Sequence, residues 1–293
     1  MQLIEGPKDQ DTAPEAVPAQ ASSDDMLIAL WLAGKADRTR RAYQDDVAAF
    51  RRFADKSLRQ ITLADLVAWG ETLGEMAPAS RARKLGAVKS LAAFGHRLGY
   101  LAFDIGAPLR LPAVKTTLAE RILGEGDVLR LLTLEANPRN HALLRLLYAG
   151  ALRVSELCAL TWRDLQPRED AGQVTVFGKG GKTRVVLLTP GIWGELTALR
   201  GDTGEGDPVF RSNKGGHLTP VQVHRIVKQS AAEAGIPAAT SAHWLRHAHA
   251  SHALDRGAPV SLVQATLGHA SVATTGRYLH ARPNDSSARY LPD

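Results

Sequence analysis

The 293-residue chain holds a single cysteine, Cys158, which excludes an internal disulfide and any cysteine-cluster metal site. That thiol lies in the apolar run Leu157-Cys158-Ala159-Leu160, where it reads as a small buried hydrophobe. No apolar stretch approaches the roughly eighteen residues that span a membrane. The N-terminus also lacks the basic-then-apolar order of a secretory signal. These absences predict a cytoplasmic protein with no membrane partner. Aromatic residues are sparse at 5%, yet 44% hydrophobic and 23% charged residues are ordinary for globular protein. An excess of acid is missing too: 36 Lys and Arg oppose 30 Asp and Glu, a net charge of +6. The surplus favours a polyanionic partner. It is unevenly spread, because residues 1–25 hold six acids against Lys8, a net −5, which leaves +11 for the remainder.

Residues 1–23 are rich in Pro, Ala, Gln, Ser and acids, and read as a disordered acidic tail. From residue 24 to 110 the periodicity is helical. Tyr43, Val47, Phe50 and Ala54 form one apolar stripe after an expected N-cap at Thr39. Thr62 and Asp65 make a weak capping-box variant before Leu66, Trp69 and Leu73. A third helix is expected to start near Ser80, with Leu85, Val88, Ala92 and Leu98 inward and a stop at Gly99. Its first turns carry Arg81, Arg83 and Lys84, with Lys89 beyond. Cations there oppose the helix dipole unless an anion docks beside them. Residues 111–121 read as an extended linker between two domains. Residues 122–282 then open a second domain, with helices expected over 127–134 and 138–149.

Within that domain, alternating Val and Thr around Gly178-Lys179-Gly180-Gly181-Lys182 predict a β-hairpin with Lys179 at its tip and Lys182 and Arg184 following. The spacing is not that of a phosphate-cradling P-loop. A helix capped by Thr219, with Pro220 first in it, leads to residues 241–280. There His243 and Arg246 lie three apart and share a helix face. Leu262, Val263 and Leu267 read as the apolar side of a short helix closed by Gly268, after which come His269 and Tyr278. One Arg, two His and one Tyr, with no carboxylate, suit phosphate chemistry without a metal. Arg binds a phosphate bidentately, His donates or moves a proton near neutrality, and a tyrosine attacks only when a base and a cationic field assist it. A competing reading takes His243, His247, His249 and His252 as a zinc site, against which stand the missing Glu of a hydrolytic motif and the cation at Arg246.

His-x-x-Arg at 243–246, Leu-Gly-His at 267–269 and a Tyr nine residues later resemble the signature of the tyrosine recombinases, the phage-integrase family. Upstream, Gly150-Ala151-Leu152-Arg153-Val154-Ser155-Glu156 resembles the turn carrying that family's first catalytic Arg, and the hairpin resembles the one presenting its Lys. The resemblance implies a mainly α fold with a small β-hairpin sheet: an N-terminal helical core-binding domain and an α+β catalytic domain. It implies Arg153, Lys179, His243, Arg246, His269 and Tyr278 as the catalytic set, with Tyr278 the nucleophile, His243 its base and Lys179 the general acid. Glu156 would hold the site's geometry. Arg40, Arg41, Arg81, Arg83, Lys84, Lys89, Lys182 and Arg184 are the candidate DNA contacts. No cofactor is implied. The partners would be double-stranded DNA and a homo-tetramer on two sites, with or without a paralogous recombinase, in the nucleoid. The short acidic N-terminal tail is unlike an arm-binding domain and favours an Xer-like simple recombinase, with residues 283–293 as a protomer-to-protomer contact. A departure is Phe103-Asp104-Ile105-Gly106, where the family usually has Asn-Pro. A non-catalytic DNA-binding regulator and a supercoil-relaxing topoisomerase are the alternatives.

Overall fold

The computed structural model describes residues 20–115, 117–178 and 181–279. The chain divides into two compact units, Met1–Lys115 and Thr116–Asp293, each with its own core.

Among the described residues, the first unit holds four α-helices: α1 (Asp24–Leu32), α2 (Asp37–Ala54), α3 (Leu63–Thr72) and α4 (Pro78–Arg97). The stripe on α2 buries Val47 and Phe50 against Leu27, Trp31, Leu66, Trp69, Leu85, Val88 and Leu91. Two helix starts differ from expectation. Helix α2 begins two residues before Thr39, with Ala36 at the cap and no side-chain capping bond, and Asp37 in its first turn favours the dipole there. Helix α4 begins at Pro78 rather than Ser80, since proline suits the first helical position. Thr62 and Asp65 form the full reciprocal capping box of α3. Asp24, the first residue of α1, accepts from the Leu58 amide at 2.9 Å and the Tyr100 hydroxyl at 2.6 Å, which ties the start of α1 to both segments.

The second unit opens with α5 (Glu125–Leu134), α6 (Pro138–Ala149) and α7 (Val154–Ala159). Helix α6 is central, with Leu143, Leu144, Leu146 and Leu147 all fully buried. Strands β1 (Leu165–Arg168), β2 (Ala171–Phe177) and β3 (Thr183–Leu188) form an antiparallel sheet in that order. Val174 and Val176 on β2 and Val186 and Leu188 on β3 face inward. Strand β1 was not expected, because Leu-Gln-Pro-Arg has no alternation to read. Helix α8 (Pro190–Arg200) lies on this sheet, and Gly172 permits it: a Cβ there would fall 2.1 Å from the Trp193 ring. Helix α9 (Pro220–Glu233) carries the expected Thr219 cap as a box with Gln222. Then come α10 (Ala242–Asp255), α11 (Val260–Leu267) and the short α12 (Val272–Gly276). Leu262 is 59% exposed, so the inward side of α11 is Val263 and Leu267 alone. Among the described residues, no helix is long and apolar enough to cross a membrane.

Candidate active site

Arg153 sits at the N-cap of α7, after a turn the sequence permits only narrowly. A Cβ on Gly150 would meet Leu152 Cδ1 at 2.6 Å and the Leu146 carbonyl oxygen at 2.7 Å. Ala151 then takes φ +49°, a left-handed conformation that a non-glycine residue adopts at a cost. Its carbonyl is thereby aimed at α10, where it accepts from Arg246 Nη1.

Glu156 ties the neighbourhood together. Its Oε2 accepts the Arg153 amide at 2.8 Å and its Oε1 the Arg153 Nη1 at 2.8 Å. Arg184 on β3 grips the same carboxylate with both Nη atoms, at 2.9 and 2.8 Å, and donates its Nε to the Thr266 carbonyl at 2.8 Å. Burial alone would raise the Glu156 pKa, but hydrogen bonds from Arg184 and Arg153 outweigh it and hold it down at about 2.

Arg246 is 2% exposed and donates to two backbone carbonyls, those of Ala151 and Leu267. Burial and the Arg153 charge bring its pKa down to about 10, which leaves it a cation at neutrality. His243, one turn earlier, is exposed, and its ring stands 4.2 Å from that of His247, edge to face. Gly268, at φ +62°, turns the chain out of α11 and delivers His269, whose Nδ1 is hydrogen-bonded to Thr275 Oγ1 at 2.9 Å. Burial first, then Arg246 and Arg153, lower the His269 pKa to about 4. Loss of hydration and the same two cations also lower that of His243. The imidazoles are therefore neutral at neutral pH.

Tyr278 follows α12 and is 5% exposed. Its ring lies parallel to that of His269 at 6.5 Å, and burial raises its pKa above the ordinary phenol value. Its hydroxyl is 2.7 Å from Nδ1 of His247, not of His243. From sequence, His247 stands out only as a metal ligand; its position four residues after His243 on the same helix is the available signal. Beside these groups opens a cleft of about 890 Å³ lined by Arg153, Lys182, Arg184, His269, Ser271 and Thr274. Lys179 lies outside the described residues.

The structure thus brings Arg153, Arg246, His243, His269 and Tyr278 into one neighbourhood. It treats the candidate DNA contacts differently. Lys182 is exposed at the cleft. Arg184 also lines the cleft, with all three of its donor groups engaged inside the protein. Lys89 donates its Nζ to the Ala107 and Leu109 carbonyls at 3.1 and 2.8 Å, which fastens the segment leaving the first unit. Lys84 and Arg83 both pair with Asp46, 1% exposed on α2, although Arg83 keeps 45% of its side chain in solvent. Arg40 pairs with Asp37 at the surface, Arg41 is exposed, and Arg81 has a buried Nε without a partner. The zinc reading loses a ligand: His252 donates its Nε2–H to the Leu123 carbonyl at 3.0 Å and accepts the Tyr148 hydroxyl on Nδ1 at 2.9 Å. Among the described residues, no three His, Cys, Asp or Glu are grouped to hold a metal ion.

Residues 122–285 match the phage integrase family, and residues 25–98 match the phage integrase N-terminal SAM-like domain. The chain belongs to the phage integrase family. The chain is 36% identical over 291 residues to tyrosine recombinase XerD of Pseudomonas aeruginosa, covering 92% of this chain and 96% of the relative. It is 35% identical over 251 residues to tyrosine recombinase XerC of Xanthomonas campestris, covering 82% and 77%. With such relatives the protein is a tyrosine site-specific recombinase, and the enzymatic reading is favoured over a non-catalytic regulator. The fold is similar to that of one chain in the structure of a lambda integrase tetramer bound to a Holliday junction, at TM-score 0.73 and 18% identity over 89% of this chain and 77% of that one. It is likewise that of the XerH site-specific recombinase bound to difH substrate, at TM-score 0.69 and 20% identity over 92% and 84%.

Proposed function

We propose that Tyr278 of this recombinase attacks a DNA phosphate that docks in the cleft beside Arg153 and His269. The Tyr278 Oη–phosphorus bond forms as the bond from phosphorus to the 5′ oxygen breaks, leaving a 3′-phosphotyrosyl link and a free 5′ hydroxyl. Arg153 and Arg246 bear on the nonbridging oxygens and stabilise the charge of the pentavalent transition state. His269, neutral and fixed through Thr275, donates to the phosphoryl group. His243 takes the tyrosine proton once the phenol reaches the phosphate, and Lys179 protonates the departing 5′ oxygen. Because the phosphodiester energy is stored in the covalent link, religation to a second strand needs no nucleotide cofactor. Four protomers on two duplexes would exchange strands through a Holliday junction. The observation that carries this reading is the meeting of Arg153, Arg246, His269 and Tyr278, drawn from four separate elements, beside a cleft that Arg153 and His269 line.

The test uses a duplex selected for binding to the purified protein from a random-sequence pool and nicked so that the cut strand escapes. Tyr278→Phe should bind it as the parent does and form no covalent adduct, while Tyr290→Phe should form the adduct normally. A phosphotyrosine mapped to Tyr290, or an adduct that survives Tyr278→Phe, overturns the assignment. Strand exchange between two such sites, against relaxation of a supercoiled plasmid lacking them, separates recombination from topoisomerase action.

A further inference from the structure

Tyr278 packs among Ile122, Ala151, Ala250, Val263 and Leu267, and its hydroxyl meets His247, itself 9% exposed. Neither residue lines the cleft where Arg153, Lys182 and His269 stand. In the resting protein the attacking atom therefore faces α10 instead of the space a phosphate would enter.

The direction of the hydrogen bond follows from the chemistry of the pair. A phenol is a better donor than an imidazole N–H, and an imidazole nitrogen a better acceptor than a phenol oxygen. The Tyr278 hydroxyl thus donates to Nδ1, and the ring proton sits on Nε2. Desolvation, with His243 and Arg246 adding to it, brings the His247 pKa down to about 3, while burial raises that of Tyr278. An imidazole so weakly basic is a poor proton acceptor for so weakly acidic a phenol. His247 holds the hydroxyl without activating it.

We infer that His247 is a positioning residue for the nucleophile, seating the Tyr278 hydroxyl away from the cleft until a docked DNA phosphate draws the phenol out. This rests on Tyr278 being the nucleophile. The seat is a single neutral hydrogen bond, whose net worth shifts a two-state population by about five- to tenfold. That is enough to hold back cleavage by an unassembled protomer and small enough for an occupied cleft to reverse.

The experiment follows the Tyr278 adduct on the nicked, pool-selected duplex under conditions where one protomer binds one site. His247→Ala should form the adduct about five- to tenfold faster than the parent, with an unchanged pH profile. His247→Gln, which keeps an acceptor, should return the rate to the parent's. An adduct rate for His247→Ala that is unchanged, or that falls with an altered pH profile, overturns the proposal; the second result would make His247 the base. Should His247→Ala not fold, the parent protein decides. Nitration mapped by mass spectrometry should spare Tyr278 in the free protein and modify it with the intact duplex bound. Equal modification in both states overturns the seat. Absence of any Tyr278 adduct from the parent would instead overturn the recombinase assignment beneath it.

Discussion

Glu156 shows how a buried carboxylate organises a site it does not itself operate. Two guanidiniums and a backbone amide converge on it, one guanidinium from the turn before α7 and one from β3. Removing one member of such a buried set leaves charges uncompensated, so Glu156→Gln should cost about 3 kcal/mol of stability. It should also slow cleavage, because Arg153 loses its tether. Thermal melting and the adduct rate check both. The pH dependence has a definite sign. The folded pKa of Glu156 is depressed from 4.5 to about 2. Its stabilisation is therefore complete above pH 4.5 and lost as pH falls towards 2, amounting to about 3 kcal/mol across that window. A Glu156→Gln protein whose stability falls as steeply as the parent's between those pH values would refute the assignment. The spacing of Arg153 and Glu156 was readable in the chain, and so was Glu156's role in holding geometry. That Arg184 supplies the second grip was not, because nothing local joins positions 28 apart. The same holds for His247 on Tyr278, a contact made only when α10 and the chain after α12 meet.

At the scale of elements, the sequence was most informative where the physics is local. The box at Thr62 and Asp65, Pro138 and Pro220 opening their helices, and Gly268 closing α11 all came out as read. What failed had no local signature: the short strand β1, the uncapped start of α2, and the partners of the basic side chains. A Lys or Arg in a helical pattern looks alike whether it faces a phosphate or a backbone carbonyl. That difference can be measured on the hairpin. Lys182→Ala should reduce the salt dependence of DNA binding by about one counterion and leave melting nearly unchanged. Arg184→Ala should do the reverse, lowering the melting temperature with little change in salt slope. An Arg184→Ala protein that melts like the parent yet binds with a shallower slope would restore that residue to the DNA contacts. The turn before Arg153 invites a second substitution. Gly150→Ala forces a Cβ to within 2.7 Å of a backbone oxygen that cannot yield cheaply. It should destabilise the second unit by about 1–3 kcal/mol and lower the adduct rate even where the protein is still folded.

For the whole molecule, composition and periodicity foretold helices, a small sheet and a basic body behind an acidic tail, while the C-terminal contact foreseen for residues 283–293 lies outside the described residues. Each unit buries its own core: Phe50, Leu66, Trp69 and Leu91 in the first, Leu143, Leu147, Val176 and Val227 in the second. Independent cores predict that the chain can be divided. Cutting after residue 115 should give two fragments that each melt cooperatively, with the first needing residue 24 onward, since Asp24 secures Leu58 and Tyr100. The two fragments together carry the side chains of the intact chain, so the affinity of their mixture against that of the intact chain measures what the tether adds. A short linker turns the second contact into an intramolecular event and raises overall affinity about 10²–10⁴-fold when both units reach one duplex. The intact protein should therefore bind its selected site at least a hundredfold more tightly than either fragment, with a steeper salt dependence because more phosphates are neutralised together. A catalytic fragment that binds and forms the Tyr278 adduct as readily as the intact chain would show that the first unit adds nothing to DNA capture. An unfolded fragment of residues 20–115 would show that its core depends on the second.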